Sequence, residues 1–125
     1  MSSYSDFLVE KKGPIALVTL NRPNKGNSWT LETYEEMARI QEELHHDEEV
    51  LVVIFTGAGD KFFCAGADLS LLAKLSPQYI SQSLYRYQGI NTRWDRFIKP
   101  VIMAINGITI GSGLELALCG DIRIA

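Results

Sequence analysis

Two segments carry residues whose types and spacing could do chemistry. Phe63-Cys64-Ala65-Gly66-Ala67-Asp68-Leu69 is an apolar run that breaks at small residues and then enters a predicted helix. Asn106-Gly107-Ile108-Thr109-Ile110-Gly111-Ser112-Gly113-Leu114-Glu115 follows the same plan. Each offers backbone N–H groups at a helix start, where the peptide dipoles favour negative charge. Two such donors aimed at one oxygen would make an oxyanion hole. Glu115, in the first turn of the second helix, adds a carboxylate that could move a proton.

The residue types leave alternatives open. The small residues Ala65, Gly66 and Ala67 also suit close helix–strand packing. Glu115 sits among Gly111, Gly113, Leu114, Leu116 and Ala117. It is either a buried base, its pKa raised by desolvation, or a solvated glutamate favoured by the helix dipole. Asp68 reads as a cap or loop anchor rather than a catalytic acid.

Other motifs fail on spacing. Gly111-Ser112-Gly113 would need a third glycine where Leu116 stands to bind a dinucleotide. A hydrolase elbow would need glycine in place of Ile110. Gly57-Ala58-Gly59-Asp60-Lys61 lacks the glycine spacing and the Ser/Thr of a phosphate loop. His45 and His46 are the only histidines, and no Cys/His cluster joins them, so no metal site is expected. Lys25, Arg22 and Lys61 could meet phosphates, although single surface cations are usually just solvated.

The positioning elements follow from periodicity and punctuation. Strands are expected at residues 7–10, 15–20, 50–56, 62–65 and 101–105, with another beginning at 120, while Ile108 to Ile110 leads into the last helix. Lys11-Lys12-Gly13-Pro14 reads as a turn, and the residues from Asn21 to Asn27 as a basic loop. The run at 50–56 is continuously apolar, which suggests a central strand covered on both faces. Thr30 caps a helix to His46 whose inner face carries Leu31, Tyr34, Met37, Ala38 and Leu44. Glu32, Glu35, Glu36, Glu42 and Glu43 are expected to face solvent. A short helix at 68–75 precedes a longer one opened by Ser76-Pro77 and ended by Pro100. Its expected inner face is Ile80, Leu84, Tyr87, Asn91, Trp94 and Ile98. A last helix is expected at 114–118. Strands and helices alternate, which defines an α/β protein with ββα-like units.

The 125 residues allow one domain with a core, and the composition is ordinary for a globular chain, at 46% hydrophobic and 22% charged. A formal charge of −3 argues against a general nucleic-acid binder. No signal sequence or membrane span is evident, so a cytoplasmic or organelle-matrix location is expected. Cys64 and Cys119 read as buried free thiols. The chain stops as it enters a buried strand, so the expectation is the front part of a larger protein.

Taken in order, these motifs resemble the enoyl-CoA hydratase/isomerase (crotonase) family over essentially the whole length. The match also takes in Ile15 to Pro23, Val53 to Gly57 and Pro100 to Gly107. The resemblance implies a crotonase-like spiral of ββα units, incomplete at the C-terminus. Residues 1–125 would be the N-terminal portion of a single domain, lacking the helical region that builds trimers and dimers of trimers. It implies acyl-CoA thioester substrates, with coenzyme A as part of the substrate and no separate cofactor. The oxyanion donors would be the N–H groups of Ala67 and Ser112. Relatives often carry glycine at the latter position, and the serine side chain is expected to crowd the site. Glu115 stands where family hydratases have one of two catalytic glutamates; the second is expected past Ala125. Lys25, Asn27, Ala65, Gly66, Ala67, Asp68 and Gly111 match the CoA-contacting surface. The expected activity is an enoyl-CoA hydratase. An isomerase or another thioester enzyme of the family is the alternative, and a non-catalytic binding or assembly module the second class.

Overall fold

The computed structural model describes residues 3–73 and 76–125. Strands β1 (Phe7–Lys12) and β2 (Ile15–Leu20) form an antiparallel hairpin, followed by a 3-10 turn at Pro23–Lys25 and helix α1 (Leu31–His46). Then come β3 (Val52–Gly57), β4 (Phe62–Cys64), α2 (Leu69–Ala73) and α3 (Pro77–Asp95). The chain continues through β5 (Val101–Ala104), β6 (Ile108–Thr109), α4 (Ser112–Cys119) and β7 (Ile122–Ile124).

Two sheets result. One has five strands in the order β1-β2-β3-β5-β7, parallel except for the hairpin, and the other pairs β4 with β6 in parallel. The first ββα unit keeps both of its strands in the large sheet, while the next two place β3 and β5 in the large sheet and β4 and β6 in the small one before their helices. The α/β expectation with ββα units is borne out.

The core lies between the large sheet and the helices. Trp94 and Phe55 meet edge-to-face at 4.8 Å, and Met37, Ile40, Leu44, Val53 and Met103 are buried around them. Burying each such side chain contributes about 1.5–3 kcal/mol of transfer free energy. Strand β3 is central in the sheet, as the apolar run suggested. One of its faces is buried and the other only half-buried.

Several local expectations are corrected. Lys11 and Lys12 extend β1, because the ladder runs on to Lys12↔Ile15 and Lys11 pairs with Asp47 at 2.9 Å and Glu49 at 2.6 Å. The turn contracts to Gly13 and Pro14. Strand β3 begins at Val52, where its register with Ile15 starts. Glu36 is not solvated: it is buried and accepts from Ser5 N (2.8 Å), Ser5 Oγ (2.7 Å) and Asp6 N (2.9 Å). Those bonds tie the N-terminal strand to α1 and compensate the carboxylate for lost water.

Helix α3 ends at Asp95, so Ile98 lies beyond it and is exposed, as is Leu84. Ser83 and Ile90 take their places on the buried face with Tyr87, Asn91 and Trp94. Helix α4 is longer than expected and starts at Ser112. The short helix expected at 68–75 covers Leu69–Ala73, and Lys74 and Leu75 lie outside the described residues. Cys64 is buried and Cys119 only partly so; neither forms a disulfide. No helix among the described residues is long and apolar enough to cross a membrane.

Candidate active site

The two segments singled out in the sequence meet because β4 and β6 pair in parallel. Cys64 registers with Thr109, so the residues that follow both strands leave the sheet at the same end. The Ile110 N–H donates to Cys64 O at 3.1 Å. Beyond that bond the chains are in backbone contact. A Cβ placed on Gly66 would lie 2.8 Å from Ile110 O and 3.0 Å from Ser112 N. Gly66 adopts φ +87° and Gly111 φ +57°, both in the left-handed region that favours glycine.

Ala67 is held by its neighbours and left free itself. Trp29 forms a parallel bridge with Ala67: its N–H donates to Gly66 O at 2.8 Å, and its carbonyl accepts from Asp68 N at 2.8 Å. In parallel pairing the bracketed residue turns its own N–H and C=O away from the partner. The Ala67 N–H accordingly has no hydrogen-bond partner among the described residues. The Ser112 N–H has none either, as the first helical residue of α4, where no intrahelical acceptor exists. The Ser112 side chain, expected to crowd the site, has a partner on α1. Its Oγ accepts from the Tyr34 hydroxyl on α1 at 3.0 Å.

Glu115 lies in the first turn of α4, its N–H bonded to Gly111 O at 3.0 Å. It is exposed. The burial that would make it a desolvated base is therefore not supplied by the described residues.

The loop before α1 packs on the same region. Ala65 N donates to Gly26 O at 2.8 Å, and a Cβ on Gly26 would stand 3.1 Å from that of Ala65. Lys25 is exposed on this loop. Asn27 is buried, and its side chain is committed inside: Nδ2 donates to Ala58 O and Phe62 O at 3.0 Å each, and Oδ1 accepts from Arg22 N at 2.9 Å. Of the CoA-contact expectations, the Asn27 side chain thus belongs to the scaffold. Arg22 is also held internally, with Asp6 at 3.7 Å, Asp68 at 3.6 Å and the Ser28 carbonyl as partners. Lys61 is exposed, its Nζ 5.6 Å from the centre of the Phe62 ring.

Asp68 is the anchor it was read as. Its Oδ1 accepts from Ser70 Oγ (2.6 Å) and Ser70 N (2.9 Å), and its Oδ2 from Ser28 Oγ (3.2 Å). The two Ser70 bonds first, then Ser28 and the Arg22 guanidinium, bring its pKa down to about 2. The unfolded value is about 3.9, so between those values the folded state binds fewer protons. Its contribution to stability is therefore complete above about pH 4 and is lost as pH falls towards 2. Asp68→Asn should flatten the acid limb of Tm against pH in that window. An unchanged slope would mean that this carboxylate contributes nothing there.

Cys64 is no nucleophile: burial pushes its thiol up to about 12, and Sγ donates to Asn27 O at 3.2 Å. Among the described residues no group of three or more His, Cys, Asp or Glu is placed to hold a metal. A surface groove between α1 and α3, lined in part by Gln41, His45, Arg93 and Phe97, includes none of these site residues. Tyr34 is the site neighbour that sequence reasoning assigned only to the core. Helical period predicted its burial, and nothing local pairs it with a residue 78 positions away.

In this α/β fold, two backbone N–H groups without a partner among the described residues thus lie on segments in contact at Gly66, with a carboxylate one turn further along α4. The family model described as Enoyl-CoA hydratase/isomerase matches residues 10–125, and the chain belongs to that family. It is similar to a short-chain-enoyl-CoA hydratase from Clostridium acetobutylicum, 41% identical over 97% of this chain and 46% of that protein. It is also similar to a mitochondrial 3-hydroxyisobutyryl-CoA hydrolase from Danio rerio, 36% identical over 97% of this chain and 32% of that one. The crystal structure of an enoyl-CoA hydratase from Bacillus anthracis superposes with a TM-score of 0.92 at 35% identity, covering 97% of this chain and 47% of that one. The fold is therefore that of crotonases, and the chain spans less than half the length of these relatives.

Proposed function

We propose that the protein carrying this chain is an enoyl-CoA hydratase acting on acyl-CoA thioesters. The observation that supports this most is the pair of unpartnered N–H groups, Ala67 and Ser112, on backbone segments in contact at Gly66. On this reading the thioester carbonyl oxygen lies between them. They polarise the carbonyl and stabilise the enolate-like charge that grows as water adds to the α,β double bond. Glu115 acts as base or acid: water loses a proton as its oxygen bonds to the β-carbon, and a proton enters at the α-carbon.

Lys25 is assigned to a phosphate or pantetheine contact, with Ala65, Gly66, Asp68 and Gly111 lining the same surface. Coenzyme A enters as part of the substrate, and the chemistry calls for no further cofactor. Residues 1–125 are read as the N-terminal portion of one crotonase-like domain. The complete protein is read as a trimer or dimer of trimers in the cytoplasm or an organelle matrix.

An enoyl-CoA isomerase is the second reading. It is favoured because, among the described residues, Glu115 is the one carboxylate near the two donors in sequence that is not already committed to a capping network, and a single carboxylate suffices to shuttle one proton. Crotonyl-CoA separates the readings. Loss of the conjugated enoyl-thioester absorbance on hydration supports the hydratase. Gain of that absorbance from a β,γ-enoyl-CoA, without hydration, supports the isomerase. Neither change, with acyl-CoA still bound, would leave a binding module.

A further inference from the structure

The acyl-thioester reading needs its two donors held at one separation, and one buried side chain touches both Ser112 and the residue whose backbone brackets Ala67. Tyr34 donates its hydroxyl to Ser112 Oγ at 3.0 Å, joining α1 to the first residue of α4. Its ring meets Trp29 edge-to-face at 4.8 Å and stacks on Tyr87 at 4.4 Å. Trp29 is the residue whose backbone brackets Ala67. The path from one donor to the other therefore runs Ala67, Trp29, Tyr34, Ser112, entirely through buried or half-buried groups.

We propose that Tyr34 is a positioning residue that sets the separation of the Ala67 and Ser112 N–H groups, through its hydroxyl bond to Ser112 and its ring contact with Trp29. It acts through Ser112 and touches no reacting atom. This rests on the reading of those two N–H groups as oxyanion donors.

The physical need is specific. Each donor must come within roughly 2.7–3.1 Å of the developing oxyanion, so small displacements are costly. Ser112 follows Gly111, whose φ of +57° leaves the helix start with little steric restraint of its own. A serine without a partner could also turn its hydroxyl oxygen, a competing dipole, towards the oxyanion position. The Tyr34 bond engages that oxygen on the side of α1. Burial, the largest influence, pushes the Tyr34 hydroxyl up to about 12, so it remains a donor across the working range of pH.

Tyr34→Phe in the full protein deletes the donor and keeps the ring. With crotonyl-CoA, kcat should fall roughly tenfold while KM changes by less than about twofold. In a Ser112→Gly background, which has no Oγ to hold, Tyr34→Phe should bring no further fall. Amide hydrogen exchange at Glu115, whose N–H is bonded to Gly111 O across the helix start that Ser112 opens, reads the same positioning without any reaction. It should quicken several-fold in Tyr34→Phe, with Tm within a few degrees. Wild-type kcat and exchange in Tyr34→Phe would overturn the proposal. So would equal falls in both backgrounds, which would mark a general structural role. A wild-type protein that hydrates no enoyl-CoA would defeat the hydratase reading, and the exchange measurement would still decide for or against Tyr34.

Discussion

Glu115→Gln in the full protein should lower turnover of crotonyl-CoA by roughly a hundredfold or more while acyl-CoA binding stays within about twofold. Glutamine keeps the shape and hydrogen-bonding reach of the side chain and removes only its ability to take and return a proton. Glu115 makes no ion pair among the described residues and is exposed on α4, so no buried partner is orphaned by the change. The backbone bond from its N–H to Gly111 O, which shapes the start of α4, is untouched. The loss should therefore appear in kcat with little change in Tm. Steady-state kinetics paired with calorimetric Kd for an acyl-CoA would test this. An unchanged kcat would remove Glu115 from the mechanism and leave the two N–H donors to carry the catalysis.

Gly66→Ala should be at least as damaging, by a different route. Its Cβ would stand 2.8 Å from Ile110 O and 3.0 Å from Ser112 N, both backbone atoms that cannot rotate away. Its φ of +87° adds backbone strain of roughly 1–2 kcal/mol for a residue with a Cβ. Overpacking contributes a further 1–3 kcal/mol or so. The cheapest relief is to push the Ile110–Ser112 segment away from β4, which separates the two donors. Loss of one such donor costs on the order of a hundred- to a thousandfold in rate. Gly66→Ala should thus lower kcat/KM at least a hundredfold while far-UV circular dichroism still reports a folded protein.

Gly13→Ala is the matched control. Gly13 has φ +59° with nothing within 4 Å of a built Cβ. It should cost roughly 1 kcal/mol of stability and leave activity intact. Equal activity losses in the two variants would sink the wedge argument.

Much of the scaffold was legible because it obeys short-range rules. The bounds of β2 and the capped start of α1 at Thr30 match their expectations, as does the Ser76-Pro77 opening of α3. Strand alternation, caps and proline act within a few residues, where the sequence is its own environment. The same rules misplaced Glu36, Leu84 and Ile98. Burial there depends on which neighbour covers a helix face: the backbone of Ser5 and Asp6 reaches Glu36, whereas the described residues leave Leu84 and Ile98 exposed.

The site divides in the same way. The small residues around Ala67 and Ser112 mark two helix starts with open N–H groups, and that much the sequence determined alone, together with the family to which the chain belongs. Only the tertiary structure decided that these two helix starts touch, through the parallel pairing of β4 with β6. It also decided that Asn27 is spent on the scaffold, that Glu115 is exposed on this chain, and that Tyr34 holds Ser112 across 78 positions. Sheet pairing and side-chain partnership over such separations are set by the summed packing of the whole chain, and no local pattern encodes them.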